Sequence, residues 1–430
     1  MNYPIWQLDF AGGGLPIALI AILHVYIAHF AVGGGLFLVL TEHLGLRNND
    51  RQIIDYVKRH TKFFLLLTMV LGSLTGVGIW FTISVLNPAA TSVLIHTFVF
   101  AWGIEWLFFA TEIVSLFLYY ATFDRLDRRS HLILGWIYFG AAWMSLFVIN
   151  GIIDFMLTPG RWLENGDFWS AFFNPTFWPA LFFRTFLATM IAGLFGLVTA
   201  STLKKAETRH TMLRFSALWL LAPFALLLAS AWWYRAALPA GVAELIFQRM
   251  PALQPFLSAF AVVSILLILG GLLMAIRIPA RLSRLLAGAM LVAGLLYIGA
   301  FEFIREGGRR PYVIHGYMYS TAMRAADLTE VREKGVLQAA RWVDRQRLAS
   351  ADPVEEGEEV FRLLCISCHS IGGPLNDISK MAAPLTLADF RATFPAMGRE
   401  LAFMPPFAGN EQEQEAVIAY VYRRLLNRAQ

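Results

Sequence analysis

The stretch 254–276, QPFLSAFAVVSILLILGGLLMAI, runs for 23 residues without a charge. As a helix rising about 1.5 Å per residue it is long enough to cross the roughly 30 Å hydrocarbon core of a bilayer. Seven further apolar stretches of comparable length lie near 13–40, 63–84, 92–120, 132–157, 178–200, 214–234 and 283–304. Eight spans predict an all-α, polytopic membrane bundle. Their glycines (Gly33-Gly34-Gly35, Gly72, Gly76, Gly78 and Gly270-Gly271) suit backbones that approach closely.

The composition agrees. Of 430 residues, 57% are hydrophobic and 15% charged, against about 25% charged in soluble domains. That balance excludes a disordered chain, a disulfide scaffold and an ordinary soluble enzyme. It is also uneven. Residues 1–304 hold 19 Lys/Arg and 14 Asp/Glu, whereas the last 126 residues hold 16 of each. A sparsely charged membrane part therefore precedes a normally charged, water-soluble one.

The formal charge of +5 lies wholly in the membrane part and reports topology, not a nucleic-acid partner. The loops after spans one, three, five and seven carry fifteen Lys/Arg between Arg47 and Arg284. The N-terminus and the alternate loops carry Arg161, Arg235 and Arg249. The first set is expected in the cytoplasm, which puts both termini outside and the soluble part on the extracytoplasmic face of the inner membrane. The first ten residues lack Lys and Arg, so span one is expected to be retained and not cleaved as a signal peptide.

Cys365 and Cys368 are the only cysteines, and 365–369 reads Cys-Ile-Ser-Cys-His, the C-x-x-C-H attachment pattern of c-type haem. Two thioethers would fix the porphyrin, and His369 would ligate iron from one face. The competing reading, a zinc or thiol-exchange CxxC, lacks further ligands, since His369 is the only histidine after 315. The sixth ligand is expected from Met404, with Met381 as fallback and Met397 a third candidate. Met404 opens Met-Pro-Pro-Phe ahead of a helix-compatible 416–426, and 355–428 resembles a class I cytochrome c.

Ionisable residues inside a bilayer are functional by default. His24, His29, Glu105, Glu112, Asp154 and Arg184 lie within spans, and Glu302 and Glu306 at the outer end of span eight. Glu105 and Glu112 share a helix face about 10 Å apart. His24 and His29 point about 140° apart, so one haem site would not use both. The plain alternative, polar side chains that hold helices together, suits Asp154 with Arg184 as a buried ion pair.

The membrane part, about 10–325, resembles subunit I of the cytochrome bd quinol oxidase family. Four pieces carry the likeness: His24 in span one, Gly72-Ser-Leu-Thr-Gly76, Ile104-Glu105-Trp-Leu-Phe-Phe-Ala-Thr-Glu112, and Glu306-Gly-Gly-Arg309-Arg-Pro311-Tyr312. The resemblance implies His24 as axial ligand of a high-spin haem, Glu306 as ligand of a second haem, and Arg309 on a propionate. It implies Glu105 beside the irons and Glu112 relaying protons. Two features depart from the family. Its third-haem His and Met correspond to Arg184 and Val263, and the 235–253 loop is short for a quinol-binding loop.

These readings divide the chain into 1–312, a bd-like haem domain; 313–352, an aromatic then charged, helix-compatible linker; and 353–430, a monohaem cytochrome c. The expected function is a haem oxidoreductase that exchanges electrons with periplasmic cytochrome c through its own c haem and reduces a small oxidant such as oxygen. Expected cofactors are one covalent haem c and two non-covalent haems, b and/or d. Expected partners are periplasmic cytochrome c or another redox protein, a second membrane subunit and lipid. The alternative is an electron-transfer subunit without substrate chemistry.

Overall fold

The computed structural model describes residues 3–348 and 351–428. Among the described residues, eight helices are long and apolar enough to cross a membrane: α1 (Gly14–Arg47), α2 (Arg51–Leu86), α3 (Val99–Ala121), α4 (Arg128–Phe155), α5 (Phe177–Ser201), α6 (Ala206–Ala237), α7 (Pro251–Ala275) and α8 (Ala280–Arg309). Each covers one expected span, with differences at the ends. Helix α2 starts twelve residues before the apolar run, because Asp50 caps it by accepting the Gln52 and Ile53 N–H groups at 2.9 and 3.4 Å. Asp127 starts α4 likewise. The 92–120 stretch is not one helix. Pro88–Thr97 forms its own, and the chain turns at the fully buried Phe98 before α3.

Helix α5 is the hub, buried along most of its length. Three consecutive glycines on α1 explain how neighbours reach it. A Cβ on Gly33 would overlap the Ala188 carbonyl of α5, one on Gly34 would strike the Phe64 ring of α2, and one on Gly35 the Tyr138 ring of α4. Gly193 and Gly196 do the same for α5 against Leu220 and Ser216 of α6. Hydrogen atoms in place of side chains thus let α1 contact three helices, which is how small residues stabilise packing where lipid supplies no hydrophobic drive. Large apolar residues such as Phe100, Trp106, Val262 and Leu269 point outward from α3 and α7, as lipid contact requires.

After α8 the chain forms an antiparallel hairpin, β1 (Tyr312–Ile314) and β2 (Met318–Tyr319), with the Tyr312 and Tyr319 rings stacked at 4.8 Å. The His315 N–H donates to the Met156 carbonyl at 2.9 Å, tying the hairpin to the end of α4. The charged linker is not one long helix. Leu328–Lys334, Val336–Ala339 and Arg345–Leu348 are separate, the first break falling at Gly335 with φ +86°.

The C-terminal part has its own core around Val360, Phe361, Phe390, Phe394, Tyr420 and Val421. Its helices α9 (Pro353–Leu364) and α10 (Glu411–Ala419) cross where Gly357 lies on the Ala416 carbonyl, again too close for a Cβ. A π turn, Tyr420–Leu425, continues α10. The buried Glu413 carboxylate accepts N–H bonds from Val336 (2.9 Å), Leu337 (2.8 Å) and Asn410 (2.9 Å), so the linker is hydrogen-bonded to this core.

Candidate functional site

The Cys365–His369 turn follows α9 directly. Both thiols are free and half-buried. The His369 Nδ1 donates to the Asn376 carbonyl at 3.0 Å, which fixes the ring and its tautomer and leaves Nε2 as the ligating nitrogen. Burial, with Arg310 nearby, holds this imidazole below its ordinary pKa. Burial pushes the Cys365 thiol up to about 12. Burial also raises Cys368, but Arg310 and the Ser320 and Ser367 hydroxyls outweigh it and leave that thiol below the usual range. Two free thiols and one oriented imidazole fit covalent haem attachment. Of the candidate sixth ligands, Met404 is half-buried, Met397 packs against the core, and Met381 is 43% exposed.

The turn does not stand clear of the membrane part. The Gly13 N–H donates to the Ile366 carbonyl at 2.9 Å and the Ile371 N–H to the Asp9 carbonyl at 2.7 Å, so the segment leading into α1 runs along the turn. From the end of α8, the Arg310 guanidinium touches Cys368 Sγ and lies 3.6 Å from Glu306 Oε1.

At that end Glu306 has a half-exposed side chain and pairs with Arg309. Arg309 is otherwise committed to Met156 Sδ at 3.0 Å and the Val313 carbonyl at 3.4 Å, leaving its buried Nε without a partner. One turn deeper, Glu302 is buried and bonded to Arg305 at 2.7 and 2.9 Å. Arg184 bridges Asp154 at 3.6 Å and Glu302 at 3.7 Å. The Asp154–Arg184 pair expected from the sequence is therefore present, but it belongs to a network that also includes Glu302 and Arg305.

Within the spans, His24 Nδ1 lies 3.1 Å from Thr75 Oγ1, and its ring lies against Gly76, where a Cβ would come 3.2 Å from Cε1. The Gly72–Gly76 stretch thus makes room for this histidine, whose ring also lies within hydrogen-bond reach of the Gly72 carbonyl. His29 is fully buried on another face, its Nδ1 bonded to the Val25 carbonyl at 2.7 Å. The half-buried His24 imidazole on α1 is of the donor type that haem iron takes, and Glu306, half-exposed at the end of α8, is a separate candidate. Glu105 accepts from Ser145 Oγ at 2.9 Å, and Glu112 is buried one heptad further along α3.

Sequence reasoning missed the next member of this series. Tyr119, a further heptad on, donates to Glu42 at 2.5 Å, and His131 Nδ1 lies 2.7 Å from the same carboxylate. Glu42 and His131 line a cavity of about 310 Å³ at the end of the bundle that carries the basic loops. Both lie near loops in the sequence; only the heptad run of Glu105, Glu112 and Tyr119 could have pointed to them. His60, buried with Nδ1 2.8 Å from Thr199 Oγ1, was also missed.

The model of cytochrome bd terminal oxidase subunit I matches residues 15–238. The fold resembles that of bd oxidase from Geobacillus thermodenitrificans, with a TM-score of 0.57 and 18% identity over 73% of this chain and 90% of that one. No curated protein matches the sequence. With more than half of its length matched, this multi-pass membrane chain belongs to the cytochrome bd terminal oxidase subunit I family.

Proposed function

We propose that this chain is a bd-type haem oxidoreductase whose residues 353–430 form an extracytoplasmic monohaem cytochrome c, joined by 313–352 to a haem-binding membrane domain, 1–312. It exchanges electrons with periplasmic cytochrome c through that domain and reduces a small oxidant, oxygen foremost. One observation carries the reading: the C-x-x-C-H turn lies against Arg310, four residues from Glu306.

Haem at these sites would supply the electron storage and oxidant binding. The chain supplies the rest. Cys365, Cys368, His369 and Met404 would hold one group. His24, oriented by Thr75, would hold a second, and Glu306 a third. Arg309 neutralises carboxylate at that end, whether Glu306 or a propionate. Glu105 and Glu112 line one face of α3 and carry protons inward, with the Ser145 hydroxyl on Glu105. The apolar outer faces of α3 and α7 meet lipid and a second membrane subunit.

Reduced-minus-oxidised and CO-difference spectra of the purified protein test this. A c-type band with a CO-reactive b or d haem is expected; a c band alone would leave only the electron-transfer reading. His24→Ala should remove one non-covalent haem and spare the covalent one. Met404→Ala should abolish the long-wavelength iron–sulfur band, and its persistence would assign the ligand to Met397 or Met381.

A further inference from the structure

The contacts between the attachment turn and the membrane domain go beyond a tether. Main-chain bonds from Gly13 to Ile366 and from Ile371 to Asp9 seat the turn on the segment preceding α1. That segment is shaped for it. Gly12 has φ +62°, and a Cβ there would lie 2.9 Å from the His369 carbonyl oxygen; a Cβ on Gly373 would overlap the Phe10 carbonyl. Asp9 adds an ion pair to Arg362 of α9 at 3.6 Å. On the other side, Arg310 reaches Cys368 Sγ, and Ser320 of the loop after β2 lies 3.6 Å from the same sulfur. A second, separate contact joins Arg249 Nη2 to the Arg399 carbonyl at 3.1 Å. The turn is thus held from both ends of the membrane chain, residues 9–13 and Arg310.

From this we infer that the C-terminal domain is a fixed relay and not a tethered shuttle: residues 9–13 and Arg310 clamp the attachment turn so that its Cys368 edge faces the Glu306 end of α8. Arg310 is then a positioning residue between two haem sites. Its guanidinium serves Glu306 on one side and the sulfur on the other. Electron exchange across this junction moves one electron between two irons, one oxidised as the other is reduced, and transfers no proton or atom. A docked turn makes its rate independent of domain diffusion. This inference rests on the covalent-haem reading above.

The test uses the detergent-solubilised holoprotein. When both native cysteines are consumed as thioethers, cysteines introduced at Glu164 and Lys380, both exposed, are the only sites for nitroxide labels. Electron–electron distance measurement should give one narrow distribution. Arg310→Met removes the guanidinium's contact with the Cys368 sulfur, a neutral thioether in the holoprotein, and should lower the docked-to-undocked ratio about threefold to tenfold, visible as broadening. Arg310→Lys should restore much of the narrow peak. After photolysis of CO from the half-reduced protein, electron redistribution to the c haem should slow by a similar factor in Arg310→Met, with haem content unchanged. Gly12→Val should broaden the distribution as well; if it abolishes haem incorporation, Gly12→Ala takes its place. A broad distribution in the parent protein, or an Arg310→Met variant with unchanged distances and unchanged redistribution, would overturn the inference. Failure of the underlying reading looks different: the pyridine haemochrome would show no covalent haem, and the parent without added cysteines would itself take up label.

Discussion

Arg184→Leu should destabilise the membrane domain by about 3–5 kcal/mol, the cost of leaving a buried charge without its partner. The size follows from the geometry. Arg184 is 2% exposed, with Asp154 Oδ1 at 3.6 Å and Glu302 Oε1 at 3.7 Å. At an effective dielectric of about 20, each approach represents roughly 4–5 kcal/mol of gross attraction, most of it offset by desolvation. The loss falls unequally. Glu302 keeps Arg305 at 2.7 Å, whereas both Asp154 carboxylate oxygens already lack hydrogen bonds and lose their nearest cation. A second substitution, Asp154→Leu, should therefore recover most of the penalty, since an apolar pair of similar volume often equals or betters a buried ion pair. Glu302→Gln in the Arg184→Leu background should recover less. Reversible unfolding in mixed detergent micelles, followed by helix content, would supply the double-mutant cycle. A coupling of about 2 kcal/mol or more is expected between Arg184 and Asp154. Additive effects, with coupling below about 0.5 kcal/mol, would refute the ionic account.

Two other predictions come from close contacts. Gly33→Val should cost more than about 3 kcal/mol and Gly33→Ala about 1–3 kcal/mol, because any Cβ meets the Ala188 carbonyl, while Gly103→Ala, with open space around it, should stay within about 0.5 kcal/mol in the same melt. In chain produced without haem attachment, iodoacetamide at pH 8 should alkylate Cys368 before Cys365, because Arg310 draws the first thiol down whereas burial pushes the second up to about 12. Mass spectrometry of a time course would show the order, and Arg310→Met should narrow the gap between the two rates.

What was legible in the sequence was what depends on average solvent or on contiguous motifs. Lipid demands long charge-free runs, so all eight spans could be located, and C-x-x-C-H is read within five residues. Helix ends were less legible, because α2 begins in polar sequence at an Asp50 cap and the 92–120 run breaks at Phe98, where aromatic packing against Phe155 and Phe168 decides. Contacts between distant segments were illegible. Glu42, Tyr119 and His131 come from three helices, each near a loop, and no local pattern marks them as one buried group. The same holds for residues 9–13, a glycine-rich lead-in whose role exists only once the C-terminal turn is laid on it. Asp154 with Arg184 was legible because two opposite charges in adjacent spans at similar depth have few other partners, yet Glu302 had no such marker.

The ionic network also bears on how many haems this chain holds. Where resemblance to the family implies a third haem, α5 and α7 present Arg184 and Val263. A guanidinium has no lone pair to offer a metal at any pH a protein survives, and this one is already engaged by two carboxylates. Val263 packs against the apolar membrane core. Neither side chain can hold iron: removing Val263 changes packing and removing Arg184 breaks the ionic network, but neither removes a ligand. Two non-covalent haems are therefore expected for each covalent one. Acid–acetone extraction separates the two classes, and pyridine haemochrome spectra of extract and pellet, set against protein from amino-acid analysis, give the ratio. A ratio of three to one would require a ligand outside the set named here and would defeat the argument; His29 and His60, buried with Nε2 unpartnered, would then be the first residues to replace. A ratio of two to one leaves the membrane domain with no haem at the Arg184 and Val263 positions. In that case the turn clamped beside Arg310 is the entry that the chain's own residues provide.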